Sequence, residues 1–201
     1  MFLIFFGWTL FAGMPLAWSD SSDWPQWRGP NRDGKAAPQL LLQNWPEQGP
    51  PLSWEATNLG RGYSSLAIVD GQIFTMGSDA TDCFVICLDA DTGTTAWQTT
   101  VSRAGTGEDY NAGWGAGPRS TPTIDGRDVF VVSDVGIVAC LDRDTGDVRW
   151  SVDMVADYGG AIPKWGYSES VLVDDQRIVV TPGQDNFMIA LDRQTGRVVL
   201  Q

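Results

Sequence analysis

Cys140-Leu141-Asp142-Arg143-Asp144-Thr145-Gly146-Asp147-Val148-Arg149-Trp150 is the middle member of three related stretches. An earlier copy runs Cys87-Leu88-Asp89-Ala90-Asp91-Thr92-Gly93-Thr94-Thr95-Ala96-Trp97, and a later one runs from Ala190-Leu191-Asp192 through Thr195-Gly196 to Leu200. The leucines stand 53 and 50 residues apart. Each copy reads as the apolar end of one strand, a tight turn held by Asp and Thr side chains, and a second strand. The glycine supplies the positive φ that a bulged hairpin requires. Such a period, built from strands and turns, means a propeller blade or a similar stacked unit.

The acids of these turns are also spaced as a calcium loop would space them. Gln194 interrupts that pattern in the third copy, and no bidentate Glu follows at the distance a calcium loop requires. The tryptophan four residues after the glycine offers a broad apolar face with one N–H donor, which suits packing on the turn of a neighbouring unit.

Working outward, three full blades are expected at about 62–101, 117–153 and 166–201. Inner strands are expected over Ser64–Val69, Ser120–Ile124 and Ser168–Val173, followed by turns at Asp70-Gly71, Asp125-Gly126 and Asp174-Asp175. Leu52–Thr57 reads as one further strand, whose Trp54 matches the outer-strand tryptophan of the repeats. The fold class is therefore all-β: a propeller of four-stranded blades with about three blades and one N-terminal closing strand. Closed rings use four to eight blades, so the chain is expected to be the N-terminal part of a larger ring, truncated at its C-terminus.

Ahead of the repeats, residues 20–51 form an irregular lead-in rich in Trp, Pro and Gly, expected to lie on the propeller wall. Residues 1–19 read as an export signal, with an apolar run from Leu3 to Trp18 and small residues near its end. An uncleaved anchor is the alternative, but the run is short for a membrane span and contains Gly13 and Pro15.

The net charge is −12, which argues against a nucleic-acid or anionic-membrane surface. The 201 residues contain no histidine, which excludes a Ser-His-Asp triad, a Cys-His pair and a His-ligated zinc site. Cys83, Cys87 and Cys140 read as small buried residues, two of them at the same repeat position.

The repeat Ala/Cys-Leu-Asp-x-x-Thr-Gly-x-x-x-Trp resembles the tryptophan-docking motif of quinoprotein-like propellers, the pyrroloquinoline quinone (PQQ) repeat superfamily. The lead-in Trp24-Pro25-Gln26-Trp27-Arg28-Gly29-Pro30-Asn31 resembles the start of a bacterial exported subfamily of these proteins. Leu200 departs from the motif, standing where its tryptophan would be. The resemblance implies one of two functions. Quinoprotein dehydrogenases oxidise alcohols or sugars with PQQ and calcium, whereas the other branch has lost the cofactor and scaffolds other proteins. No vicinal cysteine pair and no transferable calcium-ligand set is found in this sequence.

The expected site lies at the channel mouth. The repeat alignment places Ser65, Ser120 and Glu169 at one position, and Ser64, Arg119 and Ser168 at the one before it. Arg119 and Glu169 put charge where sister blades carry Ser, as ligand contacts, as a mutual ion pair or as solvated charges. Two long connections feed the mouth, Arg103–Ala116 with Tyr110 and Trp114, and Met154–Trp165 with Tyr158 and Trp165. Their rings either bind a ligand or cap the propeller face. The candidate ligand-binding residues are thus Arg119, Glu169, Trp114 and Trp165, with no catalytic and no metal-binding residue.

The expected function is an exported binding or scaffolding module without catalysis, periplasmic or extracellular. Its partners would be envelope proteins or a small ligand at the mouth. The alternatives are the N-terminal half of a PQQ-dependent dehydrogenase, with PQQ and calcium, and a propeller that binds carbohydrate or peptide.

Overall fold

The computed structural model describes residues 23–38, 44–184 and 186–200, so the segment read as an export signal lies outside the described residues. Twelve strands form three four-stranded antiparallel sheets, each in chain order. Blade 1 contains β1 (Ala67–Val69), β2 (Gln72–Ser78), β3 (Asp82–Asp89) and β4 (Thr95–Arg103). Blade 2 contains β5 (Thr123–Asp125), β6 (Asp128–Val132), β7 (Ile137–Asp142) and β8 (Val148–Asp153). Blade 3 contains β9 (Leu172–Asp174), β10 (Arg177–Val180), β11 (Ile189–Asp192) and β12 (Val198–Leu200). The first strands lie side by side, β1 beside β5 and β5 beside β9, while β4 reaches across to β7 and β8. The first strand is therefore the inner one, and the three sheets fan out as consecutive blades of an open ring. No helix among the described residues is long and apolar enough to cross a membrane.

The middle strands are apolar on both faces because both faces are covered. Cys83, Val85 and Cys87 of β3 pack with Val129, Val131 and Leu141 of blade 2. The alternate residues Phe84, Ile86 and Leu88 pack beneath Trp54, Ala56 and Leu59. The segment around Trp54 thus covers the outer face of blade 1 as a preceding blade would. Leu52–Thr57 nonetheless forms no sheet ladder, because no strand lies beside it. A second core joins blades 2 and 3 through Phe130, Val132, Cys140, Ile178, Ile189 and Leu191.

The repeated turn is built alike in each blade. Asp89 Oδ1 accepts the N–H groups of Asp91 (3.1 Å) and Thr92 (2.8 Å), and Asp142 and Asp192 repeat this with their own turns. The aspartates are consumed by the turn, as the hairpin reading requires and the calcium-loop reading does not. Gly93, Gly146 and Gly196 adopt φ of 70°, 77° and 68°. The register then slips by one residue at Cys87/Leu88, Cys140/Leu141 and Ala190/Leu191. This bulge sets Trp97 opposite Cys87 and Trp150 opposite Cys140.

From that position each tryptophan reaches the next blade. Trp97 Nε1 donates to Arg143 O at 3.0 Å, Trp150 Nε1 to Arg193 O at 2.9 Å, and Trp54 Nε1 to Ala90 O at 3.0 Å. Their rings lie so close over Gly146, Gly196 and Gly93 that an added Cβ would meet a ring carbon at 2.4–2.7 Å. The residue after the aspartate adds an ionic link to the previous blade: Arg143 to Asp70 at 2.8 Å, and Arg193 to Asp125 at 2.7 Å and Asp128 at 2.8 Å. All three cysteines are free and buried, and burial pushes their thiols up to about 12, 11 and 12 for Cys83, Cys87 and Cys140.

Two expectations need correction. The inner strands begin later than expected, at Ala67, Thr123 and Leu172, and in blades 1 and 3 side chains replace the first ladder bonds. Ser64 Oγ accepts the Met76 N–H at 3.2 Å, and Glu169 Oε1 accepts the Thr181 N–H at 2.8 Å. The lead-in also goes elsewhere than the wall. Trp24 exchanges two backbone hydrogen bonds with Ile68 (2.7 and 2.9 Å), Pro25 O accepts the Ile124 N–H (2.8 Å), and Arg32 Nη2 donates to Val171 O (2.9 Å). Residues 24–32 therefore cross the inner edges of all three blades. An unpaired strand edge offers backbone donors and acceptors, and this segment takes them.

Candidate functional site

Each sheet has two ends. The Asp-x-x-Thr-Gly turns stand at one, and the long connections between blades stand at the other, the mouth. The connection after β4 is pinned from below. Tyr110 Oη donates to the buried Asp134 Oδ2 at 2.5 Å, Gly105 N–H donates to the same oxygen at 3.2 Å, and Gly117 N–H donates to Tyr110 Oη at 3.1 Å. Burial and the hydrogen bond to Asp134 raise the Tyr110 phenol to about 12, so it stays protonated as the donor. At the rim, Arg103 pairs with Asp109 at 2.5 Å and holds its carboxyl well below the usual carboxylate range.

The connection after β8 is built on the same plan. Asp153 Oδ1 accepts the N–H groups of Val155 (2.8 Å) and Ala156 (3.0 Å), and Asn186 Nδ2 donates to Tyr158 O at 2.5 Å. Tyr158 packs on the core between blades 2 and 3. Asn111 N–H donates to Lys164 O at 2.8 Å and ties the two connections together. In each loop the tyrosine is an anchor. The tryptophan faces solvent instead, with Trp114 79% exposed and Trp165 40% exposed.

Trp114, Trp165 and Arg119 line one pocket of about 300 Å³. An adjoining pocket of about 240 Å³ is lined by Arg119, Ser168, Glu169, Ser170 and Trp27. Arg119 is shared by both. Its guanidinium donates to Gly117 O (2.9 Å) and Gly115 O (3.1 Å), and lies over the rings of Tyr63 (5.0 Å) and Tyr110 (5.6 Å). Lys164 Nζ lies 5.1 Å from the Trp165 ring centre.

The structure thus brings Trp114, Trp165 and Arg119 together in one pocket, and joins Glu169 to Arg119 in the second. It does not make Arg119 and Glu169 an ion pair. Glu169 spends both oxygens on Thr181, with Oε1 accepting its N–H and Oε2 accepting its hydroxyl, each at 2.8 Å. Burial raises the Glu169 carboxyl pKa. The sheet register also shifts the alignment of blade 1 by one residue. Phe74 pairs with Ala67 as Phe130 pairs with Thr123, so Ser64, not Ser65, stands with Ser120 and Glu169. Tyr63 then stands with Arg119, and it packs against that residue.

Sequence reasoning missed Trp27 and Asp134. Trp27, 50% exposed, enters the mouth because the lead-in crosses the inner edges. Its signal was a second tryptophan in a Pro- and Gly-rich segment with nothing local to cover it. Asp134 sits in a short turn, and only a buried tyrosine far along the chain reveals its role. Ser120 Oγ, Thr121 Oγ1 and Asp134 Oδ1 are buried without a hydrogen-bond partner among the described residues, all at the mouth end of blade 2.

A larger cleft of about 460 Å³ lies at the turn end, lined by Asp128, Arg149, Arg193 and neighbours. Its charges are matched: Arg193 holds Asp125 and Asp128, and Arg149 holds Asp128 and Asp142. It reads as a joint between blades 2 and 3 rather than a site.

The family model described as outer membrane protein assembly factor BamB matches residues 81–200. No curated protein sequence matches the chain. Among solved structures, quinohemoprotein alcohol dehydrogenase from Comamonas testosteroni aligns with a TM-score of 0.63 at 18% identity, over 90% of this chain and 27% of that one. Quinohemoprotein alcohol dehydrogenase ADHIIG from Pseudomonas putida HK5 aligns at 0.52 and 24% identity, over 74% of this chain and 22% of that one. BamB from Moraxella catarrhalis aligns at 0.49 and 21% identity, over 73% of this chain and 38% of that one. The chain therefore spans well under half the length of each of these structures. The two dehydrogenase alignments show a shared quinoprotein-like propeller fold.

Proposed function

The chain belongs to the outer membrane protein assembly factor BamB family, and from that membership we infer that it is a non-catalytic binding or scaffolding module of the cell envelope. The observation that carries the reading is the lead-in. Its backbone bonds to Ile68 and Ile124, and the Arg32 side chain bonds to Val171 O, so the chain's own lead-in crosses the inner edges of all three blades. The side on which the blades converge then serves as structure, and binding moves to the mouth. There, exposed indoles stand on anchored loops, the arrangement in which rigid scaffolds carry recognition. The family's description as an assembly factor supports export and a place among envelope proteins. Those proteins, or a small ligand at the mouth, are the proposed partners.

PQQ with calcium does not fit the described residues. None of them form a group of three or more Asp, Glu, Cys or His side chains that could hold a metal ion.

The test is a titration of the full-length protein, expressed for export, with PQQ and calcium. Tryptophan fluorescence would be followed, and dye reduction assayed with simple alcohols and sugars. The expected result is neither saturable quenching nor turnover. Saturable quenching with turnover would make the protein a dehydrogenase.

A further inference from the structure

The mouth is two small pockets joined at one arginine. At about 300 and 240 Å³, each lies at or below the lower end of ordinary small-molecule sites, which begin near 300 Å³. Such a pair suits successive units of an extended ligand better than one compact molecule. Their walls combine indole faces, from Trp114 and Trp165 in one and Trp27 in the other, with an arginine and two serines. An indole face is electron-rich and attracts the weakly positive C–H groups of a ring laid against it. A ligand that is apolar on its ring faces and polar around its edge matches that combination, and a pyranose has this character.

Charge narrows the class further. The chain carries a net charge of −12, Glu169 lines the second pocket, and Arg119 is the one cation lining either pocket among the described residues. An anionic polymer would meet that repulsion with Arg119, and Lys164 over the Trp165 ring, to offset it. An extended peptide is disfavoured for another reason. Peptides add to sheets through free strand edges, and the lead-in backbone already bonds to the inner edges of blades 1 and 2.

We propose that the mouth binds a neutral oligosaccharide. Trp114 and Trp165 stack one sugar ring, Trp27 stacks the next, and Arg119 between them hydrogen-bonds the hydroxyl edge. This deepens the binding-module reading and rests on it. The lead-in gains a second role, since it both crosses the inner edges and delivers Trp27 to the ligand.

The experiment titrates the full-length protein with chitotetraose and cellotetraose. Tetragalacturonate serves as the acidic comparison and a pool of extended tetrapeptides as the peptide comparison. Tryptophan fluorescence and calorimetry are the readouts. The expected result is saturable binding of a neutral tetrasaccharide that changes little between low and high salt. Trp114→Ala should weaken it at least tenfold and Trp27→Ala severalfold, with unchanged circular dichroism and melting temperature. Absence of saturation by either neutral probe at millimolar concentration overturns the proposal. So does preferential binding of tetragalacturonate, or of peptides at a site lost in Trp114→Ala. Dye reduction with PQQ and calcium is read separately, so turnover there refutes the parent reading without deciding what the mouth binds.

Discussion

The two ends of the same three sheets are built on opposite plans. At the turn end the blades repeat one another, with the same aspartate turn, the same bulge and the same glycine under an indole. Trp54, Trp97 and Trp150 are half-buried there, and each N–H meets a backbone carbonyl. At the mouth the blades diverge. Tyr63, Arg119 and Ser168 share one position and Ser64, Ser120 and Glu169 the next, while Trp27, Trp114 and Trp165 stand exposed on the lead-in and the two long connections. Among the described residues, three of the four buried side-chain polar atoms without a hydrogen-bond partner also lie at the mouth end. Repetition marks the end that joins blades, and departure from repetition marks the end that carries function.

The comparison breaks first if the turn end does not hold the stability. Trp97→Ala removes a large side chain packed on the core between blades 1 and 2, and should cost about 3–5 kcal/mol in denaturant unfolding. Gly146→Ala should cost about 2–4 kcal/mol, since it combines left-handed strain with a methyl driven into the Trp97 ring. A loss below the error of the unfolding curve in either variant would mean that the inter-blade joint lies elsewhere.

Tyr110→Phe sharpens the comparison at the mouth. It leaves the buried Asp134 carboxylate without its phenolic donor, and should cost about 1–3 kcal/mol. Hydrogen exchange should quicken in residues 104–117 while the Asp-x-x-Thr-Gly turns keep their protection. Uniform quickening would show that this contact is global rather than an anchor for one loop.

Acid titration probes the turn end again, with a smaller effect. The Arg149 hydrogen bond, with help from turn N–H groups, holds the Asp142 carboxyl at about 2. The unfolded value is about 3.9, so this carboxylate stabilises the fold above that pH, and the contribution is lost as the pH falls through about 2. Asp142→Asn should flatten that part of the acid unfolding profile. An unchanged profile would show that the pair contributes nothing to stability.

Much of the turn end was legible in the sequence because its geometry is local. Asp142, Thr145 and Gly146 define a turn within five residues, and the leucine spacing counts the blades. The mouth was legible only in part. Arg119 stood out because the repeat made it an exception, and Trp114 and Trp165 because long connections carry them. Trp27 did not, since its position depends on hydrogen bonds to Ile68 and Ile124, 41 or more residues away along the chain. The reading of Glu169 as a free charge or ion-pair partner failed for a related reason. Its partner is the Thr181 backbone, and the extended segment before β9 brings the two together.

The most direct test is one unfolding series on six single Trp→Ala variants of the full-length protein. Lower unfolding free energies are expected for the variants at Trp54, Trp97 and Trp150, and values within about 0.5 kcal/mol of wild type for those at Trp27, Trp114 and Trp165. Equal losses in the two sets would contradict the division between the end that builds the ring and the end that binds.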